Sequence, residues 1–247
     1  HHEVVDGVPC AWIVPERADP DAVLVYLHGG GYSIGSVRSH AWFVAQVARR
    51  AGVRALAVDY RLAPEHPFPA ALDDAVKVWR GLLERGVNPG RAVLAGESAG
   101  GGLTMSTLVS IRDDGLPPPA AGAVLSPWVD LTLSGGSIDR HARYDYLHRP
   151  VLEVYVDRFV GGREASHPLV SPLFADLRGL PPLLVQVGGL EALLDDATRL
   201  TARARAAGVD ARLSVYDEMV HAFALFGGLP DARRAVEELV GFIRTHT

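Results

Sequence analysis

Short, almost unbroken apolar runs alternate along the chain with longer stretches whose apolar positions recur every three or four residues. The runs are Ala22–Leu27, Val53–Val58, Arg91–Ala95, Ala121–Leu125, Leu183–Val187 and Ala211–Tyr216. Runs of that length without polar alternation predict strands buried on both faces. Residues 38–51, 70–85, 99–113, 150–160, 193–207 and 231–246 read as helices, and glycines 52, 115, 161 and 208 punctuate their ends. Within 70–85, Ala71, Ala75, Val78, Trp79 and Leu82 fall near one helical face. Strand–helix alternation predicts an α/β fold, with a mostly parallel central sheet and helices on both of its faces. No internal repeat, low-complexity tract or linker interrupts residues 1–247, which are expected to form a single domain. The segment 127–180 is rich in Gly, Asp, Arg and aromatics. It lacks sustained periodicity and is the candidate insertion, or cap, over a site.

In open parallel sheets, ligands bind beyond the carboxyl ends of the strands. The residues that follow each run are therefore the ones to inspect. After the run ending at Ala95 comes Gly96-Glu97-Ser98-Ala99-Gly100, then a helix. This is the Gly-x-Ser-x-Gly pattern of a nucleophile elbow. A sharp strand-to-helix turn lifts the serine oxygen above the sheet, and the helix N-terminus favours developing negative charge. After Leu27 come His28, three consecutive glycines and Tyr32. Such a loop suits backbone N–H groups aimed at an anion, and Gly29, Gly30 and Ala99 are the candidate oxyanion donors. A phosphate loop would carry a Lys after its glycines, and none is present. His28 is read as a brace for the loop rather than as a base.

A serine hydroxyl needs a general base, itself oriented by an acid. His221 lies beyond the last apolar run and before the closing helix, the place for that base. Glu191 follows the run ending at Val187 and is the candidate acid; Asp195 and Asp196, a turn or more into the next helix, remain alternatives. Tyr32, Trp128, Val220 and Phe223 adjoin these motifs and are candidate pocket walls. In the proline-rich stretch 62–69, Pro64, Pro67 and Pro69 stiffen the backbone, and Arg61 is expected to pair with Glu65.

Composition narrows the classes. Hydrophobic residues make up 48% and charged residues 21%, as in ordinary globular domains. The net charge of −5 is dispersed, so nucleic acid is not an expected partner. No run approaches the ~18 apolar residues of a membrane span. The first residues lack the apolar core of a signal peptide, which makes a cytoplasmic location the expectation. Cys10 is the single cysteine and reads as a bystander. No Cys/His ligand set is apparent, so neither a metal nor an organic cofactor is expected.

Taken together, several motifs carry a resemblance that spans nearly the whole chain. They are His28-Gly-Gly-Gly-Tyr32, Asp59-Tyr-Arg-Leu-Ala-Pro-Glu-His-Pro-Phe-Pro-Ala70, Gly96-Glu-Ser-Ala-Gly-Gly101, Ser126-Pro-Trp-Val-Asp-Leu131 and His167-Pro-Leu-Val-Ser-Pro172. The chain resembles the hormone-sensitive-lipase-type family of bacterial α/β-hydrolase esterases, which carry the HGGG motif. The resemblance implies an α/β-hydrolase fold and a Ser98–acid–His221 triad, with Glu191-Ala192-Leu193 where many relatives carry Asp-Pro-Leu. It implies an oxyanion hole from Gly29, Gly30 and Ala99, and hydrolysis of short-chain acyl esters. Lactones and amides are alternative substrates. Relatives usually carry helices ahead of the first strand, so the cap is expected to be reduced or truncated at its N-terminal side. Some relatives dimerise, which makes a homodimer an expectation if Ala211–Tyr216 is the edge strand. Others are receptors that bind a small ligand without turnover and have lost the catalytic histidine; His221 distinguishes this chain from them.

Overall fold

The computed structural model describes residues 1–247. Two short strands open the chain, β1 (His2–Val5) and β2 (Val8–Ile13), joined through Asp6-Gly7. Both turn residues have positive φ, 47° and 81°, the geometry of a tight hairpin. The sequence pattern assigned no element here, because a four-residue strand offers too little periodicity. The Asp-Gly pair between valines was the available signal.

The predicted alternation then follows. In chain order come β3 (Asp19–Leu27), α1 (Val37–Ala51), β4 (Val53–Val58), α2 (Ala70–Glu84), β5 (Ala92–Glu97), α3 (Ala99–Asp113) and β6 (Ala121–Leu125). After these come the short α4 (Ser137–Arg140), α5 (Arg149–Val160), β7 (Leu183–Gly188), α6 (Leu194–Ala206), β8 (Ala211–Tyr216) and α7 (Pro230–His246). All eight strands join one sheet in the order β1-β2-β4-β3-β5-β6-β7-β8. The pairs β1–β2 and β2–β4 are antiparallel, and the remaining pairs are parallel. β8 is thus an edge strand.

Side chains alternate between faces along each strand. On β3, Val23, Val25 and Leu27 join one apolar cluster, whereas Ala22, Leu24 and Tyr26 join the other. The first cluster is closed by residues of α2, α3 and α6, including Trp79, Leu103 and Leu200. The second is closed by α1 and α7, through Phe43, Val44, Leu239 and Ile243. Cys10 is buried in the first cluster, and burial pushes its thiol up to about 12, beyond any useful thiolate.

The stretch between β6 and β7 carries α4 and α5. Its Tyr146, Leu147 and Tyr155 line a pocket together with residues that follow β3, β5 and β8. No helix is long and apolar enough to cross a membrane. The expected Arg61–Glu65 pair does not form. Arg61 instead grips Asp74 on α2, with Nη2 2.7 Å from Oδ1 and Nε 2.9 Å from Oδ2. Asp74 is buried and also accepts the Arg61 backbone N–H, so it offers three bonds where exposed Glu65 would offer a solvated contact.

Candidate active site

β5 delivers Ser98 at the strand-to-helix turn with φ 55° and ψ −123°, a conformation unfavourable for a residue with a Cβ. Its neighbours hold it there. Ser98 N–H donates to Leu125 O at 2.9 Å, and Ser98 O accepts from Trp128 and Gly102 at 2.9 and 3.0 Å. The two flanking glycines are required by space. A Cβ on Gly96 would lie 2.4 Å from Gly100 O, and one on Gly100 would lie 2.1 Å from Leu27 O.

The residues read as base and acid converge on this serine. His221 Nε2 lies 2.8 Å from Ser98 Oγ, and His221 Nδ1 lies 2.9 Å from Glu191 Oε2. Ser98, His221 and Glu191 are 9%, 4% and 0% exposed, so the chain of bonds is shielded from competing water. Glu191 is fixed through its other oxygen, Oε1, which accepts from Ser126 Oγ at 2.8 Å and from Gly188 N–H. Ser126 in turn accepts the Ala222 N–H at 3.1 Å, tying the acid loop to the base loop.

The two alternative acids lie elsewhere. Asp195 accepts from Ser137 N–H and Arg140, and Asp196 accepts the backbone N–H groups of Val129 and Asp130. Burial, with the Asp130 carboxylate adding to it, pushes the Asp196 carboxyl up to about 8. Both aspartates brace the segment after β6 and neither reaches His221.

The glycine loop departs from expectation at one donor. Gly29 N–H is given to Glu97 Oε1, the carboxylate inside the Gly-x-Ser-x-Gly motif. Gly29 is therefore not a free oxyanion donor. The amides of Gly30 and Gly31 have no acceptor within the protein, and both residues line the pocket beside Ser98. Ala99 opens α3, where the first N–H groups have no intrahelical partner.

Glu97 organises that loop. Its Oε1 also meets His40 Nε2 at 2.8 Å, and its Oε2 accepts from Tyr26 Oη at 2.5 Å. Burial alone would depress the His40 pKa; the hydrogen-bonded Glu97 carboxylate outweighs it and raises the pKa. His28 stacks on Tyr60 at 4.3 Å and on His40 at 5.4 Å between ring centroids, and its Nδ1 meets Gly29 O at 2.8 Å. It braces the loop by donating Nδ1–H to that carbonyl, and burial depresses its pKa, which favours the neutral imidazole. Sequence reasoning passed over Glu97 and His40 as partners because nothing in residue spacing joins positions so far apart.

The pocket walls also differ from those expected. Tyr32, Trp128 and Phe223 are each 1% exposed and belong to the core; Tyr32 stacks on Phe159 at 3.7 Å. Val220 is half-buried and does not line the pocket. Ile34, Tyr146, Leu147, Tyr155 and Leu225 supply the apolar walls of a cavity of about 380 Å³ above Ser98. Adjacency in sequence to a motif was a poor guide, because alternate side chains point into the core. No group of three or more His, Cys, Asp or Glu is arranged to hold a metal.

A strained serine after a parallel strand, bonded to a histidine and through it to a glutamate, is the arrangement of one large fold family. The family model for the α/β-hydrolase fold matches residues 24–225. The chain belongs to the α/β-hydrolase family. Within it, an acetyl-hydrolase of Streptomyces hygroscopicus is 45% identical over 238 residues, 96% of this chain and 79% of that protein. An esterase of Acinetobacter venetianus is 32% identical over 93% of this chain and 77% of its own length. Among solved structures, an esterase of the bacterial hormone-sensitive lipase family superposes with a TM-score of 0.98 at 48% identity. That match covers 100% of this chain and 84% of the other. A second, EstE5 soaked with p-nitrophenyl butyrate, gives a TM-score of 0.96 at 41% identity, over 99% of this chain and 83% of the other. The resemblance read from the motifs is thereby borne out: this α/β-hydrolase sits with the bacterial hormone-sensitive-lipase-type esterases.

Proposed function

We propose that this carboxylesterase hydrolyses short-chain acyl esters through a Ser98–His221–Glu191 triad and a covalent acyl-enzyme. The observation that carries the reading is the unbroken pair of bonds, Ser98 Oγ to His221 Nε2 and His221 Nδ1 to Glu191, on the floor of an apolar pocket.

Ser98 Oγ attacks the ester carbonyl carbon as His221 Nε2 takes its proton. Glu191 holds the imidazole tautomer and stabilises the imidazolium. The carbonyl oxygen becomes an oxyanion, for which Gly30 and Ala99 remain as donors of the three first expected, with Gly31 in the place of Gly29. One such donor is typically worth ~3 kcal/mol. His221 returns the proton to the departing alcohol. Water then attacks the acyl-enzyme with His221 again as base, releasing the acid and restoring Ser98.

The pocket supports small acyl groups. Its volume of about 380 Å³ is near the lower end of small-molecule sites, and Ile34, Leu147 and Leu225 offer apolar contact to a short acyl chain. The butyrate ester soaked into EstE5 is consistent with that size class. A 4-nitrophenyl ester series from acetate to decanoate tests the reading, with wild type beside Ser98→Ala. Turnover is expected to peak at short chains and to fall by about 10⁶-fold in the variant. Undiminished turnover in Ser98→Ala rejects the nucleophile. A lactone panel hydrolysed faster than every acyclic ester rejects the substrate class.

A further inference from the structure

Asp145 lies in the segment between α4 and α5, within the stretch read only as a cap. It is 6% exposed and forms no ion pair with any Arg, Lys or His. A buried carboxylate without a cation is costly unless N–H groups satisfy it. Here the donors come from three places. Asp145 Oδ2 accepts from Ala192 N–H at 2.7 Å, and Oδ1 lies 3.3 Å from both Leu147 N–H and His221 N–H. The Leu147 contact is local, and alone it would mark an ordinary turn. The other two join residues 47 and 76 positions away. One is the residue after the triad acid; the other is the triad base.

The next residue holds His221 from its other end. Tyr146 Oη donates to His221 O at 3.0 Å, and its ring packs edge-on to the imidazole with centroids 5.8 Å apart. Both backbone polar groups of His221 are thus bonded to adjacent residues of the cap segment. Tyr146 and Leu147 also line the substrate pocket.

We propose that Asp145 and Tyr146 form a clamp that positions His221 against Ser98 and Glu191, making the cap segment part of the catalytic geometry. Asp145 and Tyr146 are positioning residues: neither touches the reacting atoms. The clamp rests on His221 acting as the general base. Its energetic logic is that of orientation, since an error of an ångström in a catalytic group can cost about 100-fold in rate. Asp145 also places a negative charge beside the base.

The test uses Asp145→Asn and Tyr146→Phe in the full chain, assayed on 4-nitrophenyl acetate and butyrate with active sites counted by a fluorophosphonate. Asp145→Asn is expected to lower kcat per active site by about 10- to 100-fold, with KM within about 3-fold. The loss should be equal on both esters, because the base rather than the pocket has moved. Tyr146→Phe keeps every charge. It should lower kcat by about 2- to 10-fold, the worth of one hydrogen bond, with KM again within about 3-fold. Wild-type kcat in folded Asp145→Asn overturns the clamp, as does a loss confined to one ester. If Asp145→Asn does not fold, wild-type kcat in Tyr146→Phe overturns it. Failure of the clamp leaves the loss in Ser98→Ala intact, whereas failure of the triad abolishes that loss.

Discussion

Replacing Glu97 by Gln removes one charge and almost no volume, yet it strikes the support of the loop proposed to hold the oxyanion. Three donors converge on the Glu97 carboxylate: Gly29 N–H and His40 Nε2 on one oxygen, and Tyr26 Oη on the other. A glutamine offers one acceptor oxygen and one NH₂ group. If its oxygen faces Gly29 and His40, the Tyr26 hydroxyl proton loses its acceptor. If it faces Tyr26, both Gly29 and His40 are stranded. Leaving one buried donor unsatisfied costs about 1–3 kcal/mol. At about 2–4 °C per kcal/mol for a chain of this size, Tm should fall by about 2–12 °C. The rate should fall too, because Gly29 anchors the loop that presents Gly30. Deleting an oxyanion donor outright costs about 10²–10³-fold, which bounds the effect; loosening its anchor should cost at least about 10-fold in kcat. The linkage adds a signature. The folded-state pKa of His40 is raised above 6.5 by Glu97, so its stabilising contribution is complete below that value and is lost as pH rises through the folded pKa. The Tm gap between wild type and Glu97→Gln should therefore be widest near about pH 6 and narrow toward about pH 9. Thermal melts across that range, paired with kcat on a 4-nitrophenyl ester, measure both effects. A gap independent of pH, together with an unchanged kcat, refutes the reasoning.

Further outcomes follow from the same geometry. Glu191→Gln should lower kcat by about 10⁴-fold on 4-nitrophenyl acetate, with the fold intact by circular dichroism. A loss under about 10-fold would remove the acid assignment. Asp196→Asn should keep kcat within about 3-fold, because Asp196 contacts backbone outside the pocket. Since the folded-state pKa of Asp196 is raised to about 8, wild type should lose stability as pH rises from the ordinary carboxylate range through that value. The asparagine variant should lose less, and parallel melting curves would contradict this. The exposed edge of β8 supports pairing between two chains, so gel filtration is expected to report a dimer; elution at the mass of one subunit discards it.

Much of the fold was legible because strands buried on both faces leave unbroken apolar runs. Ala22–Leu27 and Leu183–Val187 could hardly be anything else in an alternating chain. The candidate residues Ser98, Glu191 and His221 stood out for a different reason: each lies within five residues of the end of such a run, and strand ends gather at one edge of a parallel sheet. What escaped was set by contacts between distant segments. Asp74 outcompeted Glu65 for Arg61 because α2 presents it, buried, against the loop. Gly29 lost its expected role to Glu97, a bond across 68 positions that no local spacing encodes. Asp145 sat in a stretch without periodicity, and its partners are backbone amides, which carry no residue signature.

The proposed base of this enzyme hangs from the margin of the sheet. Ser98 and Glu191 follow β5 and β7, each flanked on both sides, whereas His221 follows β8, which has one neighbour. Segments with fewer partners open locally at lower free energy than the molecule as a whole. The proposed nucleophile thus follows a strand paired on both sides, and its proposed activator follows a strand paired on one. Partial fraying at β8 would silence the enzyme while most of its structure persisted, so heat inactivation should run ahead of global melting, and amide exchange should find 211–221 protected for shorter times than 92–98.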